Sequence, residues 1–221
     1  MSVYYQDESV TLYHGDCREI TAWLEADVLV TDPPYGIAYK SGGMSNATTP
    51  TANTIAGDET VAVRDRALAA WGDRPALVFG SWRAPRPAGV RHRLIWHKRK
   101  ALPGMRATPW FAADEEVYVL GAGFLGSPEQ NVYATDTRQD GAVGEVARWG
   151  HPTPKPVTLM ERLLTKCPAG VIADPFAGSG STLVAAKQLG RKAIGVELEE
   201  RYCEVIARRL AQGVLDFGDA S

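Results

Sequence analysis

Cysteine and long apolar runs are both scarce in this sequence, and each shortage argues against a class of protein. The three cysteines, Cys17, Cys167 and Cys203, do not pair evenly, which argues against a disulfide framework and favours a reducing cytoplasm. No apolar run approaches the roughly 20 residues that a membrane-spanning helix needs. The first residues also lack the basic and apolar pattern of a secretion signal. We therefore expect a cytoplasmic protein.

Metal-ligand spacing is missing as well. His14 and Cys17 are residue types that bind zinc, but no further ligands follow at the spacing of a zinc site. We therefore predict no metal site.

Acidic residues are absent from residues 75–113, although the whole chain has a net charge of −2. Eight basic residues fall in that segment, which leaves −10 for the rest of the chain (−2 minus +8). Such a basic stripe is suited to contacts with phosphate groups, which weaken as salt rises. The alternative is an ordinary solvated basic face.

Residues 32–35 read Asp-Pro-Pro-Tyr and directly follow an apolar run that is typical of a short buried strand. Two prolines stiffen the segment and favour extended geometry. Asp32 and the Pro33 carbonyl can accept the two N–H bonds of an exocyclic amino group, while Tyr35 stacks on its ring. The alternative is a plain proline turn with a satisfied aspartate and a half-buried tyrosine.

A second apolar strand, residues 171–173, leads into Asp174 and a glycine-rich turn followed by a predicted helix. Strand, glycine turn and helix in this order let backbone N–H groups approach a ligand closely. The turn lacks the Gly-Lys-Ser/Thr of a P-loop and the third glycine of a Gly-x-Gly-x-x-Gly turn.

Glu197 ends the next predicted strand, about 20 residues beyond the glycine turn, which is the offset at which a carboxylate meets ribose hydroxyls. The alternative is an acidic residue at the start of the following helix, where it stabilises the helix dipole.

Together these motifs resemble the DNA amino-methyltransferases that use S-adenosylmethionine. The order of the motifs, with Asp-Pro-Pro-Tyr before Phe-x-Gly-x-Gly, resembles the permuted β arrangement of that family. Further blocks resemble the family in the same order, although Pro154 stands where glutamine is usual; these blocks are residues 14–17, 55–58, 93–98 and 151–156.

The predicted elements agree with the family's fold. We predict strands at residues 10–13, 28–30, 76–79, 93–96, 117–120, 171–173 and 193–197, and helices at about residues 61–71, 157–165, 181–189 and 199–212. This alternation indicates a mainly parallel sheet with helices on both faces, in one domain that spans residues 1–221. The resemblance implies a Rossmann-like, circularly permuted α/β fold whose seven-stranded sheet has one antiparallel strand. Its central neighbours are the strands that end at Asp32 and Asp174.

The resemblance also implies roles for individual residues. The catalytic loop is expected at Asp32, Pro33, Pro34 and Tyr35. S-adenosylmethionine is expected to contact Asp16, Lys155, Asp174, Phe176, Gly178, Gly180, Ser181 and Glu197. Double-stranded DNA is the expected partner, with basic contacts proposed at Arg83, Arg86, Arg91, Lys98, Arg99, Lys100, Arg106 and Arg138.

Two irregular stretches are expected to serve DNA recognition. Residues 40–57 are long, polar and rich in small residues, and we expect them to be mobile until DNA binds. Residues 121–150 lie where the family carries its target-recognition region. Because this region is short, we expect a short recognition site or a contribution from a second subunit of a homodimer. A cognate restriction nuclease is also consistent with the family, as is a bacterial source, or a phage protein acting in the host cytoplasm.

The expected reaction is methyl transfer to the N6 amino group of a flipped adenine, since Asp at the first motif position favours adenine in this family. N4 of cytosine is the alternative substrate, and a catalytically silent DNA-binding module is an alternative of another class. A weaker alternative is an RNA or protein-amide methyltransferase. A C5-cytosine enzyme needs a nucleophilic cysteine after a proline, and the adjacent pair Cys167-Pro168 has the wrong order.

Overall fold

The computed structural model describes residues 2–37, 58–99, 110, 113–136 and 154–212. The predicted mobile loop at residues 40–57 therefore lies outside the described residues, which resume at Asp58. The second half of the predicted recognition region, residues 137–150, also lies outside them.

Nine strands of the described residues form one sheet. In chain order they are β1 (Val3–Gln6), β2 (Val10–His14), β3 (Val28–Thr31), β4 (Ala76–Gly80), β5 (His92–Arg99), β6 (Asp114–Leu120), β7 (Val132–Asp136), β8 (Ile172–Asp174) and β9 (Ala193–Glu197). Their spatial order is β1-β2-β9-β8-β3-β4-β6-β5-β7. The predicted α/β class with a mainly parallel sheet is confirmed, and β3 and β8 are neighbours at its centre.

The predicted count of seven strands is too low by two, and a second antiparallel strand accompanies the expected one. β6 runs antiparallel to both β4 and β5, while β1 runs antiparallel to β2. β1 pairs through a tight turn in which the Asp7 carboxylate accepts the backbone N–H groups of Ser9 and Val10, at 2.8 and 2.7 Å. β7 lies within the predicted recognition region, where no strand is expected; it pairs in parallel with β5, and its Tyr133 is buried.

Four α-helices and one short 3-10 helix cover the sheet within the described residues. They are the 3-10 helix (Ala22–Glu25), α1 (Ala62–Trp71), α2 (Val157–Leu164), α3 (Ser181–Gln188) and α4 (Glu200–Gln212). Each α-helix agrees with its predicted range to within one residue at either end. Within the described residues, every helix is too short or too polar to span a membrane.

Two apolar clusters lie on opposite faces of the sheet, because alternate strand residues point to opposite sides. Val28 and Val30 of β3 pack in a cluster with α2, α3 and α4. Leu29, between them, packs in the other cluster with α1 and the 3-10 helix. Trp23 and Trp71 stack there with ring centroids 5.9 Å apart. The prediction of helices on both faces is therefore confirmed, whereas the assignment of residues 1–221 to one domain stays a prediction.

Leu183 of α3 is the clearest test of this packing, because it is fully buried against Gly195 of β9. We expect Leu183→Ala to lower the free energy of unfolding by about 2–5 kcal/mol, since the cavity cannot close completely. Leu189, at the end of the same helix, is 37% exposed, so Leu189→Ala should change stability by no more than about 0.5 kcal/mol. Urea denaturation of both variants measures the difference, and equal losses would contradict the packing.

Candidate active site

The Asp-Pro-Pro-Tyr segment leaves the sheet at the carboxyl end of β3, whose four residues are all buried. The Tyr35 hydroxyl lies 2.7 Å from Asp32 Oδ1 and 2.9 Å from Glu115 Oε2. The Gly36 N–H donates to Asp58 Oδ1 at 2.8 Å, which fixes the exit of the segment. The loop is therefore held by side chains at both ends as well as by its two prolines.

The Asp32 carboxylate belongs to a group of four charged side chains. The Lys155 ammonium donates to Asp32 Oδ2 and lies 3.2 Å from Glu115 Oε2. Lys98 donates to the other oxygen of Glu115. We call Tyr35, Asp32, Lys155, Glu115 and Lys98 the crevice network. Its two carboxylates and two ammonium groups balance in charge.

Burial controls the ionisation of this network. The Asp32 side chain is 24% exposed and that of Lys155 only 6%. Burial raises the pKa of Asp32, and the nearby Glu115 charge raises it further, whereas Lys155 opposes both. Burial would also raise the pKa of Glu115, but Lys155 and Lys98 together lower it to about 2. Burial lowers the pKa of Lys155, but the two carboxylates more than compensate, so its pKa is raised. Lys155 and Glu115 are thus firmly charged at neutral pH.

The glycine turn leaves the sheet beside this loop, at the carboxyl end of β8. Gly178 and Gly180 adopt positive φ angles of 53° and 80°, and α3 begins directly after Gly180. A Cβ at Gly180 would lie 2.8 Å from Ile206 Cγ1 of α4, so a larger side chain does not fit. Arg209 of α4 donates to the Ser179 carbonyl at 2.8 Å and so holds the turn from behind.

Asp174 connects β3, which leads to the Asp-Pro-Pro-Tyr segment, with the glycine turn. Its Oδ1 accepts a hydrogen bond from the Thr31 hydroxyl at 2.7 Å and one from the Phe176 N–H at 3.2 Å. The first bond connects the strand before the Asp-Pro-Pro-Tyr segment to the strand before the glycine turn. Burial raises the pKa of Asp174 to about 6.

Glu197 lies at the end of β9 on the other side of the glycine turn. Its carboxylate accepts the Gly178 N–H at 2.7 Å and the Glu199 N–H at 2.8 Å. The residue is only 8% exposed, and burial raises its pKa to about 7. Asp16, two residues beyond the end of β2, accepts hydrogen bonds from the side chain and the backbone N–H of Arg18.

A cavity of about 530 Å³ opens between the two loops. All the predicted catalytic residues line it, and so do the predicted cofactor residues except Gly180, which faces Ile206 of α4. Its size falls in the range of about 300–1,000 Å³ that is usual for small-molecule sites. The donor and acceptor set suits a nucleoside-type ligand, because the Glu197 carboxylate can accept hydroxyl groups and the glycine turn admits close backbone approach. Two segments far apart in sequence therefore face one another, as the sequence analysis expects.

The predicted DNA contacts separate into three groups. Arg83 and Lys98 line the cavity, and Lys98 also lies 4.6 Å from the ring centroid of Trp96. Arg86 binds the buried Glu116 at 3.0 Å, while Arg91 and Arg99 lie on the exposed surface around β5. The remaining three lie outside the described residues: Lys100, Arg106 and Arg138.

Two residues of the site are absent from the sequence analysis. Glu115 is the middle residue of the acidic run Asp114-Glu115-Glu116 that follows the long basic segment, and this change of sign is the signal in the sequence. Trp82 is 65% exposed at the rim of the same cavity, and the Arg83 guanidinium lies 5.5 Å from its ring centroid. The signal in the sequence is a tryptophan two residues after a run typical of a buried strand.

Comparison with known families decides the class of this site. The model of a family described as DNA methylase, N6_N4_Mtase, matches residues 85–208, which is more than half of the 221 residues. The chain belongs to this family. The expected family is therefore confirmed, and the chain is a DNA methyltransferase of the N6-adenine or N4-cytosine class. S-adenosylmethionine, the methyl donor of the family, is confirmed as its cofactor.

Curated relatives cover almost the whole DNA methylase chain. YubD of Escherichia coli (strain K12), named provisionally as a methylase, is 29% identical over 226 residues, covering 89% of this chain and 88% of its own length. The type II methyltransferase M.ScaI of Streptomyces caespitosus is 25% identical over 258 residues, with 94% and 83% covered.

A solved structure shares the fold. The M1.HpyAVI–SAM complex matches with a TM-score of 0.64 at 20% identity, covering 91% of this chain and 98% of that one.

Glu197→Gln should flatten the pH dependence of folding stability. The carboxyl titrates at about 7 in the folded chain against an ordinary value of 4.5, so the folded state holds this proton more tightly. The resulting stabilisation is complete below the ordinary value and is lost as the pH rises through about 7. It amounts to on the order of 3 kcal/mol.

Chemical denaturation gives the free energy of unfolding at about pH 5 and about pH 8. This free energy should fall less between the two pH values in the variant than in the wild type. Asp174, with a pKa of about 6, still titrates in the variant, so part of the dependence remains. An equal pH dependence of wild type and variant would show that Glu197 does not carry the shift.

Proposed function

We propose that this DNA methyltransferase transfers a methyl group from S-adenosylmethionine to the N6 amino group of a flipped adenine in duplex DNA. The observation that carries the proposal is that Asp32 and the glycine turn line one cavity, with their strands linked by the Thr31–Asp174 hydrogen bond. A donor on the turn and an amine at Asp32 would thereby be within reach of each other.

The residues of the cavity fit the cofactor in distinct places. The Glu197 carboxylate would accept the ribose hydroxyls, and Asp16 would lie near the cofactor adenine. Phe176, Gly178, Ser181 and Asp174 would surround the methionine part, with Lys155 near its end. Gly180 would act indirectly, because its positive φ shapes the turn and starts α3. When bound, S-adenosylmethionine supplies a methyl group activated by its sulfonium.

The chain's own residues then prepare the amine. An exocyclic amino nitrogen is a poor nucleophile, because its lone pair is delocalised into the ring. Hydrogen bonds from its N–H groups to Asp32 and the Pro33 carbonyl would favour a pyramidal nitrogen and stabilise the positive charge that develops on it. The oxygens of Asp32 already accept from Tyr35 and Lys155, so the amine would share them with these two donors. Pro33 and Pro34 keep both acceptors in fixed positions.

The target base must leave the DNA stack to reach Asp32, since the loop lies at the wall of a cavity rather than on a flat surface. Tyr35 is proposed to replace the lost stacking, and its hydroxyl contacts orient the ring for this role. The basic residues around β5 would contact the DNA backbone. A second subunit and a partner nuclease stay predictions.

Adenine is preferred to cytosine because Asp stands at the first position of the Asp-Pro-Pro-Tyr motif. N4-cytosine is the second candidate, since the PvuII DNA methyltransferase, named as cytosine-N4-specific, shares the fold at a TM-score of 0.64 and 17% identity, covering 97% of this chain and 93% of that one. Such a likeness supports the fold and does not favour either base.

The identity of the methylated base tests the proposal directly. Duplex DNA is incubated with the protein and S-adenosylmethionine labelled in its methyl group, and the DNA is then digested to nucleosides. We expect label in N6-methyl-2′-deoxyadenosine. Label only in N4-methyl-2′-deoxycytidine would overturn the choice of adenine. Cofactor binding without any labelled product would favour the silent DNA-binding module.

Asp32→Ala should separate catalysis from cofactor binding. The variant removes the acceptor of the amine, so we expect the rate of transfer to fall by on the order of 10²–10³-fold. Glu115 remains as counter-ion of Lys155, so the fold and the affinity for S-adenosylmethionine should be kept. Calorimetry measures that affinity, and single-turnover assays measure transfer. Undiminished transfer would refute the role of Asp32.

A further inference from the structure

Glu115 has the contacts of a functional residue, although no role was expected for it. Its side chain is 14% exposed, and three groups of the crevice network bind it: the Lys155 ammonium, the Lys98 ammonium and the Tyr35 hydroxyl. It touches the same lysine and the same tyrosine as Asp32 does. Glu115 is therefore a second anion that shares the partners of Asp32.

The Tyr35 hydroxyl cannot serve both carboxylates at once. It carries one proton, yet it lies 2.7 Å from Asp32 and 2.9 Å from Glu115. If the proton is donated to Glu115, Asp32 Oδ1 loses a donor and can accept one from elsewhere. The tyrosine is thus positioned to release Asp32.

Lys155 is likewise shared between Asp32 and Glu115. Because it is almost fully buried, its ammonium needs an anion beside it. With Asp32 as its sole partner, the ammonium would bind that carboxylate tightly and compete with an incoming amine. Glu115 supplies a counter-charge that remains when Asp32 turns to a substrate. Lys98 in turn holds Glu115 from the far side and balances the charge of the network.

We propose that Glu115 is a positioning residue for methyl transfer: it takes over Lys155 and Tyr35, so that the Asp32 carboxylate can accept a hydrogen bond from the target amine. This inference rests on the proposed function and adds a residue to it. Glu115 acts through Asp32 and does not touch the reacting atoms. Its removal should therefore alter the turnover number and the ionisation of Asp32 more than the affinity for either substrate.

A matched control exists at the other end of the sheet. Asp7 also lies between a tyrosine hydroxyl and a lysine ammonium, with Tyr5 at 2.8 Å and Lys187 at 2.6 Å. Burial would raise the pKa of Asp7, but these two contacts and two backbone N–H groups lower it to about 2. Asp7 does not line the cavity. Asp7→Asn therefore removes the same kind of charge without touching the crevice.

Steady-state kinetics of wild type, Glu115→Gln and Asp7→Asn over a range of pH test the proposal. We expect Glu115→Gln to lower kcat by on the order of 10- to 100-fold, with little change in the KM for S-adenosylmethionine. The acidic limb of kcat should also move to lower pH. The groups that face Asp32 are Tyr35, Lys155, Glu115 and, farther away, Asp174, and loss of the Glu115 charge lowers the pKa of Asp32. Asp7→Asn should keep both kcat and the pH profile.

A Glu115→Gln variant whose kcat and pH profile match those of Asp7→Asn would overturn the role of Glu115 and leave the proposed function intact. A wild-type chain that methylates no DNA would overturn both. Should Glu115→Gln fail to fold, the neutral double variant Lys155→Gln/Glu115→Gln is compared with Lys155→Gln. Because Lys155 carries one part of the role of Glu115 and Tyr35 carries the other, the double variant should lose less kcat, relative to Lys155→Gln, than the roughly 10- to 100-fold expected in the wild-type background. A loss of about 100-fold or more in the double variant would contradict the proposal.

Discussion

The parallel pairing of β3 with β8 is the constraint on which the site depends. Val28 pairs with Ile172 and Leu29 with Ala173, so the two strands run in step and end at the same edge of the sheet. The Thr31–Asp174 hydrogen bond joins them again, two residues further along β3 and one residue further along β8. Because the loops that follow carry the acceptor Asp32 and the glycine turn, donor and acceptor chemistry meet at this edge. A shift of one residue would point these side chains to the opposite face.

Charge balance is the second requirement, and it follows from the depth of the cavity. Lys155 and Glu115 are too buried to be solvated by water alone, so each must be paired. Two ammonium groups and two carboxylates meet this condition with no net charge. A neutral, preorganised network can stabilise positive charge that develops on a substrate without first reorganising solvent, which is the principal electrostatic contribution to catalysis.

The position of a site residue could be predicted from the sequence where a motif ends a strand. It could not be predicted where the pairing register of a strand determines which face the residue lies on. Asp32, Asp174 and Glu197 each end a strand, so their common edge could be predicted. Glu115 and Glu116 are adjacent on β6 and point to opposite faces, and only the pairing with β5 shows which of them reaches the cavity. β7 was missed for a similar reason, since Tyr133 becomes buried only when an edge of β5 is available.

The register of β6 against β5 also pairs cations of the basic segment with carboxylates. Its composition gives eight positive charges, but β6 places two carboxylates beside them. Glu116 binds Arg86 and Arg93 at 3.0 Å each, while Glu115 binds Lys98. Cations held by a buried carboxylate release fewer counter-ions from DNA than their number implies. Glu115 and Glu116 therefore serve two purposes: Glu116 orders arginines at the surface, and Glu115 completes the charge balance around Asp32.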